Sequence, residues 1–235
     1  MIAIILAGGK GSRMRGEGEK KEKKGREEKK GRGGAETEKA LIKIGGQRLI
    51  DSAVESVQAS RAEGLLVAVT RNTPKTTEYC ELVNYGTVKT PGESYHADLG
   101  FLLLRWPAFV SVACDIPFLQ GWHLNALLDA FSHLRSCVSV TGAVPLDILP
   151  RGAKGGEKGE KGERAWKKRV TPSYTFEHEG KTLVSCGINV VTNSEDSVPL
   201  VFSDPLLGVN VNTREDLENA QDLVVEHLEH LKKVW

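Results

Sequence analysis

The sequence predicts an α/β protein in three layers, a mostly parallel twisted sheet with helices on both faces and a β-hairpin added late in the chain. Three observations predict it. Short apolar runs without alternation recur, as they do in strands buried on both faces. Segments with helical apolar spacing separate them, giving a βαβα rhythm. Later, two strand-like runs flank Glu179-Gly180-Lys181, the spacing of a hairpin.

In order, Ile2 to Leu6 (IAIIL) is the first buried strand, closed by a glycine-rich loop. Leu49 to Ser60 sets Leu49, Ile50, Ala53, Val54 and Val57 on one helical face. Gly64 to Thr70 is a strand, and Pro74 to Asn84 a helix with proline in its first turn. Thr87 to Lys89 is a short strand, and Ser94 to Trp106 a helix ended by Pro107. Phe109 to Ala113 is a strand running into Cys114-Asp115-Ile116-Pro117, Trp122 to Leu134 a helix, and Cys137 to Val144 a strand. Pro172 to His178 and Thr182 to Val191 make the hairpin; Leu200 to Phe202 and Val209 to Val211 are short strands. Thr213 caps a last helix, Arg214 to Lys232, with Asp216 at its third position.

For 235 residues the prior allows one large domain or two small ones; we read one, residues 1–235. The net charge of +1 conceals two basic segments. Residues 15–34 carry nine Lys/Arg against five Glu, and residues 151–169 carry eight against three. Rich in Gly, Lys and Glu, and without aromatics apart from Trp166, both read as mobile insertions. No apolar run approaches the roughly 18 residues of a membrane span. With a strand starting at Ile2, no signal peptide is expected. Cys80, Cys114, Cys137 and Cys186 form no CxxC pair and read as reduced thiols, so a cytoplasmic location is expected.

The chemistry concentrates at the carboxyl ends of the strands, where ligands bind in such sheets. Ala7-Gly8-Gly9-Lys10-Gly11-Ser12-Arg13 offers main-chain N–H groups that approach an anion closely, with two cations behind them. Its spacing fits neither a Walker A loop nor the dinucleotide GxGxxG, since Met14 stands where the third glycine belongs. Asp115 follows a buried strand directly, which puts it at this edge as a candidate site residue or as the cap of the next helix. The six histidines read as surface or helix decoration.

LAGGKGSRM, followed by Glu38-Lys39-Ala40-Leu41, resembles the signature of nucleotidyltransferases that release pyrophosphate from a nucleoside triphosphate, with alanine in the usual proline position. TPGESYHADL, VACDIPFL, SCGINVV and VNVNTREDLENA extend the resemblance to the archaeal adenosylcobinamide-phosphate guanylyltransferases, relatives of the molybdopterin guanylyltransferases. The resemblance implies a Rossmann-like sheet of the nucleotide-diphospho-sugar transferase type. It implies Mg²⁺, GTP and adenosylcobinamide phosphate as cofactor and substrates, and leaves a homodimer open. By the same resemblance Leu6, Ala7, Gly8, Gly9, Gly11 and Ser12 contact the nucleotide, Lys10 and Arg13 its β/γ-phosphates, and Lys39 its α-phosphate. Asp115 holds the metal. Glu93 or Asp98 accepts from guanine N1–H and its amino group, or is a helix N-terminal acid. Gly187, Asn189, Asn210 and Asn212 belong to the acceptor side. Asparagines stand where sugar nucleotidyltransferases keep a second metal-binding aspartate, so these positions supply no second protein carboxylate to the metal. The alternatives are a molybdopterin or sugar-phosphate nucleotidyltransferase and, in another class, a nucleic-acid-binding module. Against the last, neither basic segment pairs its charge with stacking aromatics or a known module.

Overall fold

The computed structural model of the chain describes residues 1–9, 37–134, 138–150, 170–172 and 174–234. Lys10, Gly11, Ser12, Arg13, Cys137 and both basic insertions lie outside the described residues, with the expectations placed on them.

The apolar run Ile2–Leu6 is β1, and it has a neighbour on each side. β4 (Gly64–Val69) pairs with it in parallel from Ile2↔Gly64 to Leu6↔Ala68, and β6 (Ala108–Ala113) from Ala3↔Val110 to Leu6↔Ala113. The remaining strands of this eight-stranded sheet are β5 (Thr87–Lys89), β7 (Ser139–Pro145), β8 (Thr175–His178), β9 (Lys181–Thr192) and β10 (Ser197–Val201). The order is β10-β7-β9-β6-β1-β4-β5, with β8 paired to β9. β9 alone runs against its neighbours β6 and β7, so the sheet is mostly parallel.

Both faces are covered, which is why the strands read as unbroken apolar runs. Ala3, Ile5, Val67, Val69, Val110 and Val112 pack with Ile50, Ala53, Val54 and Val57 of α1 (Leu49–Gln58), Cys80 of α2 (Pro74–Leu82), and Leu124 and Leu127 of α4 (Gly121–His133). On the other face Ile4, Ala68 and Phe109 meet Leu99, Leu102 and Leu103 of α3 (Tyr95–Leu103). Burying each of the Val, Leu, Ile and Phe side chains among them favours folding by about 1.5–3 kcal/mol. The three-layer α/β expectation holds, and the β8–β9 pair is the expected hairpin.

Three details differ from the sequence reading. A two-stranded hairpin, β2 (Lys43–Ile44) and β3 (Gln47–Arg48), turns through Gly45-Gly46, whose φ of +59° and +90° suit a two-residue turn. It packs with α5 (Arg214–Val234) in a second core of Ile44, Leu49, Val209, Val211, Ala220 and Leu223. Val209–Val211 is not a strand: its alternating valines satisfy this core, and Val211 N–H donates to the Asp115 carbonyl at 3.0 Å instead of joining a ladder. His123 is no decoration; it is fully buried. Its Nδ1 accepts from Gln120 N–H at 3.0 Å and its Nε2–H donates to Asp204 at 3.2 Å, closing the first turn of α4.

Candidate active site

From β1 the chain passes to β4 and β5 on one side, then returns to β6 on the other. The carboxyl ends of β1 and β6 are therefore the point where the winding reverses, and a crevice opens there. It is a cleft of about 400 Å³. Leu6 to Gly9 at the end of β1, Cys114 and Asp115 after β6, and Thr90, Gly92 to Tyr95 and Asp98 line it.

Thr70, the residue after β4, fixes two of these walls. Its hydroxyl donates to the Gly8 carbonyl at 3.0 Å, and a Cβ on Gly8 would come within 2.3 Å of Thr70 Cγ2. Opposite, Gly92 has φ +70°, and a Cβ there would lie 2.7 Å from Thr70 Cβ. Asn72 Nδ2 donates to the Gly92 carbonyl at 3.0 Å, and Gly92 N–H donates to Asp98 at 2.7 Å. Two bare backbone loops are thus clamped against one threonine, leaving main chain as the lining. Gly9 is different: among the described residues a Cβ there would meet nothing within 4 Å, so their packing does not require glycine. Of the two candidate base readers, Asp98 is engaged in holding the loop, while Glu93 stands exposed at the rim.

Lys39 opens a short 3₁₀ turn whose Ala40 is buried. The preceding Glu38 anchors the turn. Its carboxylate accepts from the N–H groups of Lys75 (2.9 Å) and Thr76 (2.7 Å) and from the Thr76 hydroxyl (2.6 Å), capping α2 from outside the helix. Lys39 then spans the cleft to pair with the Asp115 carboxylate, and its Nζ donates to Asn212 Oδ1 at 2.8 Å. Asn212 is set in turn by α5. Thr213 Oγ1 accepts from Asp216 N–H at 3.1 Å, while Asp216 Oδ2 accepts from Thr213 N–H at 2.8 Å and Asn212 N–H at 3.0 Å. This is the expected capping box.

The remaining acceptor-side candidates spread out. Gly187 lies behind the cleft wall, where a Cβ would be 3.0 Å from that of Ala113, a residue of the lining. Asn189 lies two residues further along β9 and donates to Ser111 Oγ at 3.2 Å. Asn210 is buried, and its Oδ1 has no hydrogen-bond partner among the described residues. Two residues that position the site, Thr70 and Glu38, escape sequence reasoning. Thr70 ends an ordinary strand, and Glu38 acts on a helix 37 residues away.

Among the described residues no cluster of three His, Cys, Asp or Glu could hold a metal. Asp115 and Asn212 do place one carboxylate and one amide oxygen on the same ammonium. Such a hard-oxygen pair fits Mg²⁺, which takes its other ligands from phosphate and water. Cys114, beside it, is no nucleophile. Burial first, and then the Asp115 charge, push its thiol up to about 12. Among the described residues no helix is long and apolar enough to cross a membrane.

The family described as the MobA-like NTP transferase domain matches residues 3–151. A curated relative, the adenosylcobinamide-phosphate guanylyltransferase of Methanocaldococcus jannaschii, is 28% identical over 232 residues, 95% of this chain and 97% of its own length. Among solved structures, the CMP:2-keto-3-deoxy-manno-octonic acid synthetase complexed with CTP superposes with a TM-score of 0.59 at 11% identity, covering 96% of this chain and 98% of its own. A hypothetical transferase from Thermus thermophilus gives 0.57 at 16% identity, covering 92% and 100%. At such identities the two structures speak to the fold alone.

Proposed function

Since the chain belongs to the MobA-like NTP transferase domain family, we propose that it is a guanylyltransferase that moves GMP from GTP to adenosylcobinamide phosphate and releases pyrophosphate. The observation that carries the chemistry is the meeting of Lys39, Asp115 and Asn212 beside the Gly8–Gly9 backbone. The match along nearly the whole chain to the archaeal guanylyltransferase supports the choice of nucleotide and acceptor.

The acceptor's phosphate monoester is anionic near neutral pH, so its oxygen attacks the α-phosphorus without a general base. The new bond joins that oxygen to the α-phosphorus, and the bond from the α-phosphorus to the bridging oxygen of pyrophosphate breaks. Negative charge gathers on the α-phosphoryl oxygens and on the departing pyrophosphate. Lys39 meets the first, and catalysis rests on positioning and this charge. The amides of Gly8, Gly9 and Gly11 with Ser12, Lys10 and Arg13 hold the β/γ-phosphates. Leu6 and Ala7 floor the nucleoside, and Glu93 is the carboxylate that accepts from guanine, on a loop that Asp98 holds through Gly92 N–H. Asp115 would hold Mg²⁺, which when bound adds charge neutralisation on the triphosphate. Gly187, Asn189, Asn210 and Asn212 take the acceptor side, in the cytoplasm, with no nucleic acid involved. The two basic insertions serve as spacers whose charge attracts anions weakly and in a salt-sensitive way.

Pyrophosphate release tests this with GTP and ATP against adenosylcobinamide phosphate, molybdopterin and sugar 1-phosphates. Turnover restricted to GTP with the corrinoid phosphate is expected. Equal use of ATP, or turnover only with another acceptor, refutes it.

A further inference from the structure

Lys39, Asp115 and Asn212 reach one point from sequence separations of 76 and 173 residues, and each arrives on a braced segment. Glu38 ties the Lys39 turn to α2, Val211 N–H ties the Asp115 carbonyl to the C-terminal segment, and Asp216 ties Asn212 to α5. The ammonium therefore sits on the end-of-strand carboxylate by construction. Both side chains are largely withdrawn from solvent, 17% and 16% exposed. Among the described residues the charges that meet here cancel: one carboxylate, one ammonium and a neutral amide.

We propose that Lys39 is the resident counter-ion of Asp115, so that a divalent cation enters this site only together with a triphosphate. This rests on the proposed function for the triphosphate and for the metal at Asp115. A divalent ion arriving alone has to displace the ammonium from Asp115 and then stand within a few ångströms of it, with one carboxylate to offset three positive charges. A triphosphate changes the balance. It gives the ammonium a new anionic partner and gives the ion further oxygens, so one exchange supplies both. Asn212 sets the threshold. Being neutral, it holds Lys39 through its oxygen without adding the second negative charge that would let the ion bind by itself. On this account Lys39 is delivered to the phosphates by the same event that loads the metal.

The test is Mn²⁺ alone, followed by the electron-paramagnetic-resonance signal of the free ion, titrated into wild type, Lys39→Met, Asn212→Asp and the double variant Asn212→Asp/Asp115→Asn. Wild type should bind Mn²⁺ weakly without nucleotide and strongly with GTP. Lys39→Met and Asn212→Asp should each tighten nucleotide-free Mn²⁺ binding about tenfold or more, because each shifts the local charge by one unit at contact range. The double variant should lose the gain. Circular dichroism confirms that each variant is folded, and the two single variants alter the charge by unrelated substitutions. Unchanged affinity in both, or wild-type binding of Mn²⁺ alone as tight as that of Asn212→Asp, overturns the proposal. Tight nucleotide-free binding with guanylyl transfer intact refutes this inference and spares the function. A wild-type protein that shows the expected Mn²⁺ pattern but no guanylyl transfer does the reverse.

Discussion

Glu38 precedes the reactive lysine, yet its carboxylate is spent on α2, and Glu38→Ala isolates that role. The variant removes the cap of a helix whose own N-cap residue, Thr73, makes no side-chain cap. Loss of a cap costs about 0.5–2 kcal/mol. It also strips the acceptor from the Thr76 hydroxyl, on a residue that is fully buried. An unsatisfied buried hydroxyl costs about 1–3 kcal/mol. The two together come to about 1.5–5 kcal/mol. At a urea slope of about 2 kcal/mol/M the unfolding midpoint drops by roughly 0.8–2.5 M. Glu38→Gln keeps one acceptor oxygen without the charge and should recover about half. Urea unfolding followed by circular dichroism reads all three proteins. A loss below about 0.5 kcal/mol for Glu38→Ala, or equal losses for alanine and glutamine, would refute the capping argument.

Lys39→Ala should lower kcat for guanylyl transfer about 10²–10³-fold while GTP affinity changes less, since its partner charge grows in the transition state; a rise in KM at unchanged kcat would make it a ground-state ligand. Gly8→Ala and Gly9→Ala should separate in a thermal melt. Gly8→Ala drives a Cβ into Thr70 Cγ2 at 2.3 Å and lowers Tm, and Thr70→Ser, which deletes that methyl, restores it; Gly9→Ala keeps Tm but weakens GTP binding by titration calorimetry. Asp204 supplies a pH signature. Burial would raise its carboxyl, but hydrogen bonds from His123 and from Leu206 N–H outweigh that and hold it below the ordinary 3.8. A depressed value stabilises the fold above pH 3.8 and is lost as pH falls through the lower folded value, so the urea midpoints of wild type and Asp204→Asn should differ at pH 7 and converge below about pH 3.8.

Much of the fold is legible in the sequence because local pattern and tertiary need agree. β1, β4 and β6 are apolar on both faces, and each is covered on both. The capping box of Thr213 and Asp216 is local and reads directly. The misses share one cause, which is that long-range partners decide them. Val209–Val211 alternates as a strand does, but helix α5 and the β2–β3 hairpin answer its valines. Gly45-Gly46 between Ile44 and Gln47 is itself a hairpin signal, hidden by the brevity of the two-residue strands it joins. Pro199 sits inside β10 because this edge strand pairs with β7 alone and leaves an N–H position free. In the site, Asp115 and Lys39 stand out by motif and position. That they touch, with Asn212 as third partner, depends on a crossing between the first and last parts of the chain that no local spacing encodes. Asn212, expected on the acceptor side, also touches Lys39.

The measurement that bears most directly on guanylyl transfer is the mass of the corrinoid after incubation with GTP and Mg²⁺, with free pyrophosphate followed in the same reaction by phosphorus NMR. The account predicts a corrinoid heavier by one GMP residue, one pyrophosphate per product, and neither with ATP or with the Lys39→Ala protein over the same period. An unchanged corrinoid alongside guanylylated molybdopterin or sugar phosphate, or an AMP adduct formed as readily, would contradict it.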